Sequence, residues 1–161
     1  MPFYSKLGII PHKRHTVFKK ENGKYHYEQL FGTEGFSGMS SLLYHVNRPT
    51  QVKASGKIVD FSPKIADDKN LKSRLLKGFE IPTTDDYLTS RIPVLVNKDC
   101  YISLAAPKTS LRKYFYKNAD ADEVLFIHKG SGTLRTMMGI IKFSSGDFLV
   151  IPRGIIHQIA F

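Results

Sequence analysis

The side chain best placed to do chemistry is His157, at the end of the stretch Gly146-Asp-Phe-Leu-Val-Ile-Pro-Arg-Gly-Ile-Ile-His157. Gly146 supplies the permissive backbone of a tight turn, and Phe148-Leu-Val-Ile151 is a short apolar run of good strand formers. Pro152 has no N–H to donate and ends the ladder, and Gly154 turns the chain so that a new strand can begin at Ile155. An imidazole just past such a corner in a small barrel faces either the lumen or the outside. Facing the lumen it is a natural metal ligand; the alternative is a core or rim histidine held by one hydrogen bond. Other reactive types carry less. Cys100 sits among strand residues with no base nearby in sequence, which predicts a buried structural thiol. His12 and His15 share a face only in a helix, and Pro11 with its charged neighbours points to an exposed arm instead. Gly130-Ser-Gly132 lies between strands, and no glycine-rich loop ends in Gly-Lys-Ser/Thr, so a phosphate loop is excluded.

The elements that must position His157 are short strands. Asp120-Ala-Asp-Glu-Val-Leu-Phe-Ile-His128 leads acidic residues into an apolar strand, and Lys129-Gly-Ser-Gly132 then reads as a hairpin turn into Thr133–Met137. Turns at Met138-Gly139 and Ser144-Ser-Gly146 complete an expected antiparallel meander over 123–161. Upstream, Ile92–Val96 and Cys100–Ala105 read as strands joined by a turn at Asn97-Lys-Asp99. Ser40–Val46 and Lys57–Phe61 read as strands, Gly35-Phe-Ser-Gly38 as a loop, and Asp67–Leu76 as a helical turn or charged loop. Residues 1–30 are expected to form an extended arm with one hairpin, Thr16–Lys20 and Lys24–Glu28, turning at Glu21-Asn-Gly23. At least eight strands result, enough for a jelly roll.

Composition fits one globular domain: at 161 residues, 42% hydrophobic and 12% aromatic content suffices for a packed core. No apolar run approaches the roughly 18 residues of a membrane helix, and Met1-Pro-Phe-Tyr-Ser-Lys6 is no signal peptide. One cysteine excludes an internal disulfide and fits a reducing, cytoplasmic setting. The net charge of +10 raises nucleic acid as a partner, with basic runs at His12-Lys-Arg-His15, Lys19-Lys20 and Lys64–Lys77. Nucleic-acid readers interleave stacking aromatics with such charges. Here the aromatics gather separately in Tyr25-His-Tyr27 and Tyr114-Phe-Tyr116, so a solvated basic face, or one that neutralises an acidic partner surface, is the better reading. The same charge could steer an anionic substrate.

The Gly146–His157 stretch resembles the second conserved motif of the cupins. Glu123, followed by six residues and Gly130, is similar to the latter part of the first cupin motif. The two histidines that open that motif are replaced here by Tyr116-Lys-Asn-Ala-Asp120. A two-histidine, one-carboxylate iron site needs both imidazoles. Glu123 and His157 are therefore vestigial metal candidates only. Longer runs are more specific. Ile10-Pro-His-Lys-Arg-His-Thr16, Phe31-Gly-Thr-Glu-Gly-Phe-Ser-Gly-Met-Ser-Ser-Leu-Leu-Tyr-His45 and Lys117–His128 resemble the homogentisate 1,2-dioxygenase family, in its shorter bacterial form, and the resemblance runs from Met1 to Phe161.

The resemblance implies an all-β cupin double-stranded β-helix, or jelly roll, incomplete and preceded by an extended arm. One domain, 1–161, is implied, with the arm over 1–30 and the barrel portion over 31–161. The family's catalytic C-terminal cupin half would be absent. That family opens the ring of homogentisate, in tyrosine and phenylalanine breakdown, with Fe(II) and dioxygen. Its iron ligands and general base lie in the C-terminal half, so no catalytic or cofactor-binding residue is carried over onto this sequence. This segment is expected to bind no iron and to be inactive alone. Its expected partners are the missing half and further copies in a homo-oligomer, with homogentisate bound only alongside the catalytic half. The contrasting expectation is a free-standing, non-catalytic cupin binding module.

Overall fold

The computed structural model describes residues 18–66 and 72–161. Residues 1–17, where most of the expected arm falls, with His12, His15, Thr16 and Val17, and the charged stretch 67–71 lie outside the described residues. The fold is all-β, as the strand-length apolar runs require, and it is of the cupin-like kind. Nine strands and a single 3₁₀ turn, Gly78–Glu80, make up the regular structure among the described residues. By its contacts the chain divides into two units, Met1–Ile58 and Val59–Phe161.

In the first unit β1 (Tyr27–Gly32) pairs antiparallel with β2 (Ser40–His45). The turn expected at Glu21-Asn-Gly23 forms before them: the Gly23 amide donates to the Lys20 carbonyl, and Lys19 bridges Tyr25. The Gly35–Gly38 loop joins β1 to β2, with both glycines at positive φ and the Ser37 hydroxyl donating to the Glu34 carbonyl. Lys57–Phe61 is not a strand. It finds no ladder partner, and Ile58 and Val59 are exposed, so apolar alternation without a partner edge has produced an irregular segment.

In the second unit β3 (Arg91–Val96) and β4 (Tyr101–Ala105) form the expected hairpin. Its turn is held by the Asn97 side chain, whose oxygen accepts the amides of Asp99 and Cys100. Cys100 is exposed, contrary to the buried thiol expected, because it belongs to this turn and not to the strand.

The strands around the candidate residues are β5 (Glu123–Phe126), β6 (Gly132–Thr136), β7 (Gly139–Phe143), β8 (Phe148–Ile151) and β9 (His157–Ala160). They do not form a meander. β5 pairs with β8, and β6 pairs with β7 and β9, so Lys129–Gly132 is a corner in a long ribbon and not a hairpin turn. The ribbon's tip is the tight turn at Met137-Met138. Its two arms bend together, with the Ile127 amide donating to the Asp147 carbonyl and the Gly146 amide to the Ile127 carbonyl. A glycine-rich corner opposite a second one, Ser144-Ser-Gly146, lets the ribbon change direction without losing pairing. Local turn chemistry cannot distinguish that from a hairpin.

The inward residues of these strands supply the core: Leu134, Phe143, Leu149, Ile151 and Ile159, joined by Leu111, Tyr87 and Ile155. The other edge of β9 is covered by residues 110–116. Leu111 donates its amide to the Ile159 carbonyl, and Tyr116 and His157 exchange both backbone hydrogen bonds at 2.9 Å.

Candidate functional site

Glu123 begins β5 and points inward, 8% exposed. Five donors converge on its carboxylate. Arg91 binds it with both terminal guanidinium nitrogens, Nη1 to Oε1 at 2.9 Å and Nη2 to Oε2 at 3.1 Å. The hydroxyls of Tyr116 and Tyr87 donate at 2.9 and 3.1 Å, and the Asn118 side-chain amide at 3.0 Å. The guanidinium also lies over the Tyr87 and Tyr116 rings, 4.2 and 5.2 Å from their centroids.

Each donor is placed by local structure. Tyr87 and Arg91 flank a turn organised by Asp86, whose Oδ1 accepts the amides of Leu88 and Thr89 and the Thr89 hydroxyl, while its carbonyl accepts the Ser90 amide. The Tyr114 hydroxyl donates to Asp86 Oδ2 at 2.7 Å and ties that turn to the 110–116 segment. Tyr116 is fixed by its backbone pairing with His157. Asn118 accepts the amides of Asp120 and Ala121 through its Oδ1, which leaves its NH₂ group for Glu123.

Burial works to raise the Glu123 carboxyl, but the hydrogen bonds and charge of Arg91, with Asn118 and Tyr116, outweigh it and hold the group below the usual glutamate value. Burial, together with the neighbouring carboxylate, raises both tyrosine hydroxyls above their ordinary value. The cluster is thus an ionised carboxylate ringed by protonated donors.

His157 opens β9 and is fully buried. Its Nδ1 lies 3.0 Å from the Ile155 carbonyl, which can only accept, so Nδ1 carries a proton and donates it there. Buried Nε2 has no partner among the described residues. The ring meets the Tyr116 ring edge-on at 5.3 Å. Tyr116 therefore touches both sequence candidates, Glu123 through its hydroxyl and His157 through its ring.

These residues do not fit a ferrous ion. His157 brings a single unpartnered ring nitrogen, and both Glu123 oxygens already accept hydrogen bonds from a guanidinium whose positive charge repels a divalent cation. Among the described residues no three His, Cys, Asp or Glu side chains form a group able to hold a metal. Tyr116 and Asn118, in the stretch that replaces the motif's histidines, donate to the carboxylate where imidazoles would accept a metal. Arg91 and Tyr87 were missed by sequence reading. They lie more than thirty residues from Glu123, and only the Arg-Ile-Pro opening of a strand marks their neighbourhood.

Elsewhere, an open depression of about 440 Å³ is lined by Phe115, Arg135, Thr136, Met137, Ile140 and Ile156. It gathers no acid–base pair, so its size carries no catalytic argument. No helix among the described residues is long and apolar enough to cross a membrane.

Comparison with known proteins finds a relative along the full length of the chain. All 161 residues align, at 36% identity, with a protein of Saccharolobus solfataricus named "Putative dioxygenase". The chain spans 42% of that relative's length. No family model matches.

Proposed function

We propose that this chain is the structural, N-terminal cupin portion of a homogentisate 1,2-dioxygenase-like oxygenase, a scaffold that supplies no iron ligand. The observation that carries the reading is the Glu123 cluster. A carboxylate at a cupin ligand position, saturated by Arg91 and three neutral donors, suits a load-carrying interior better than a metal centre. The relative's name supports oxygenase ancestry, and its greater length leaves room for a separate catalytic half. In the whole protein that half would hold Fe(II), which supplies the redox chemistry with dioxygen, and would bind the aromatic acid. The residues described here hold the β framework and exclude solvent from its interior. The excess positive charge would favour the approach of an anionic substrate.

The test is metal analysis of the purified 161-residue chain after incubation with Fe(II) under anaerobic conditions, paired with oxygen uptake in the presence of homogentisate. Substoichiometric iron and no uptake above background are expected. Stoichiometric iron with turnover would sink the proposal.

A further inference from the structure

We infer that the depression bordered by Arg135 binds a small carboxylate with an aliphatic body, a ligand of the fatty-acid kind. Its walls come from four pieces of chain: Phe115 of the segment covering β9, Arg135 and Thr136 of β6 with the turn residue Met137, Ile140 of β7, and Ile156 just before β9. Arg135 lies directly opposite Ile140 in the β6–β7 ladder, so the two share the face turned away from buried Leu134. Phe115 and Ile140 are 62 and 67% exposed, large apolar surfaces left open to solvent. At about 440 Å³ the depression has the size of a small-molecule site.

The polar groups of the lining select the ligand. Arg135 is exposed and enters no ion pair among the described residues. Its guanidinium presents a fork that takes a carboxylate through two hydrogen bonds. Lys142, two residues beyond Ile140 on β7, falls on the same face and adds a second positive charge. The three segments that supply the lining, 110–116, 132–143 and 155–161, also contain Arg112 and Lys113 and no aspartate or glutamate. The two carboxylates that their side chains reach are already held, Asp86 by Tyr114 and Glu123 by Tyr116 and Arg91. Positive charge without a competing acid draws an anion to this depression. The other polar groups are spent within the chain. The Thr136 hydroxyl donates to the Gly139 carbonyl and accepts the Met138 amide, and the Met137 amide donates to the Ile156 carbonyl. Beyond its carboxylate the ligand therefore meets apolar side chains. A hydroxylated ring such as that of homogentisate would leave its hydroxyls without side-chain partners. Such binding does not depend on whether the longer protein is an oxygenase.

Isothermal titration calorimetry of the 161-residue chain with octanoate tests it. Saturable one-to-one binding is expected, roughly tenfold weaker for octan-1-ol, which has the body without the charge, and lost for octyltrimethylammonium. Homogentisate is expected to bind at least roughly tenfold more weakly than octanoate. Equal affinity for octanoate and octan-1-ol, or for octanoate and homogentisate, overturns the inference. Arg135→Gln, with an unchanged far-UV spectrum, is expected to weaken octanoate roughly tenfold and leave octan-1-ol unaffected. A folded Arg135→Gln chain that binds octanoate as the wild type does overturns the proposal. Should that variant misfold, the ligand series on the wild-type chain decides alone. A chain that ignores octanoate but sediments with anionic phospholipid vesicles carries a membrane-facing surface instead, and that result overturns it too.

Discussion

Removing either partner of the Arg91–Glu123 pair leaves the other with little solvent and no counter-charge, and that penalty exceeds the net worth of the pair. Glu123→Ala is therefore expected to lower the unfolding free energy by about 3 kcal/mol in urea titrations. Arg91→Met combined with Glu123→Leu should cost much less than the two single changes added together. The same cluster fixes an acid dependence. The Glu123 carboxyl is depressed in the folded chain, so its contribution is present above the unfolded-state value, about 4.3, and is lost as pH falls through the folded value. Asp86 works with the same sign: burial opposes ionisation, but the Thr89, Tyr114 and Leu88 hydrogen bonds prevail. Thermal melts across the acid range should show wild-type stability falling below about pH 4, with the fall shallower in Glu123→Gln; parallel curves would refute that role.

At the scale of elements, glycines test the bent ribbon. A Cβ on Gly132 would run into the carbonyl oxygen of Ala160 and come within 2.7 Å of the Phe143 ring, whereas one on Gly146 would meet nothing but would be held at φ +94°. Gly132→Ala is expected to cost more than Gly146→Ala, about 3 against about 1 kcal/mol, by chemical denaturation. Both costs follow from a fold that the sequence showed in part. The β3–β4 hairpin and the Gly146 and Gly154 turns were legible because each is a local event: a turn residue between apolar runs. The pairing of β5 with β8 was not, since it joins residues separated by the whole intervening β6–β7 hairpin. The same limit applies to the site. Glu123 and His157 were singled out by motif spacing, and the Tyr116–Asn118 stretch by what it replaces, but Arg91 and Tyr87 arrive from a distant turn. Lys57–Phe61 failed in the opposite sense, with strand-forming residues that no neighbouring edge accepts.

For the whole molecule, the path between the two units sets the expected response to protease. Residues 49–66 carry no regular structure, and their three lysines, at 53, 57 and 64, are exposed. Limited trypsin digestion is expected to cut at Lys53, Lys57 and Lys64 before any site within β5–β9, as mass spectrometry of the first fragments would reveal. First cuts at Arg135 or Lys142 would contradict the ordering. A different consequence follows from the seating of β9, between β6 on one side and residues 110–116 on the other. Both of its neighbours leave the ribosome earlier. Until residues 157–160 have emerged, the seam between them stays open and Leu111 and Leu134 lack their cover, so the β6–β9 core closes only after those four residues are out and is most exposed to aggregation and to chaperones just before that.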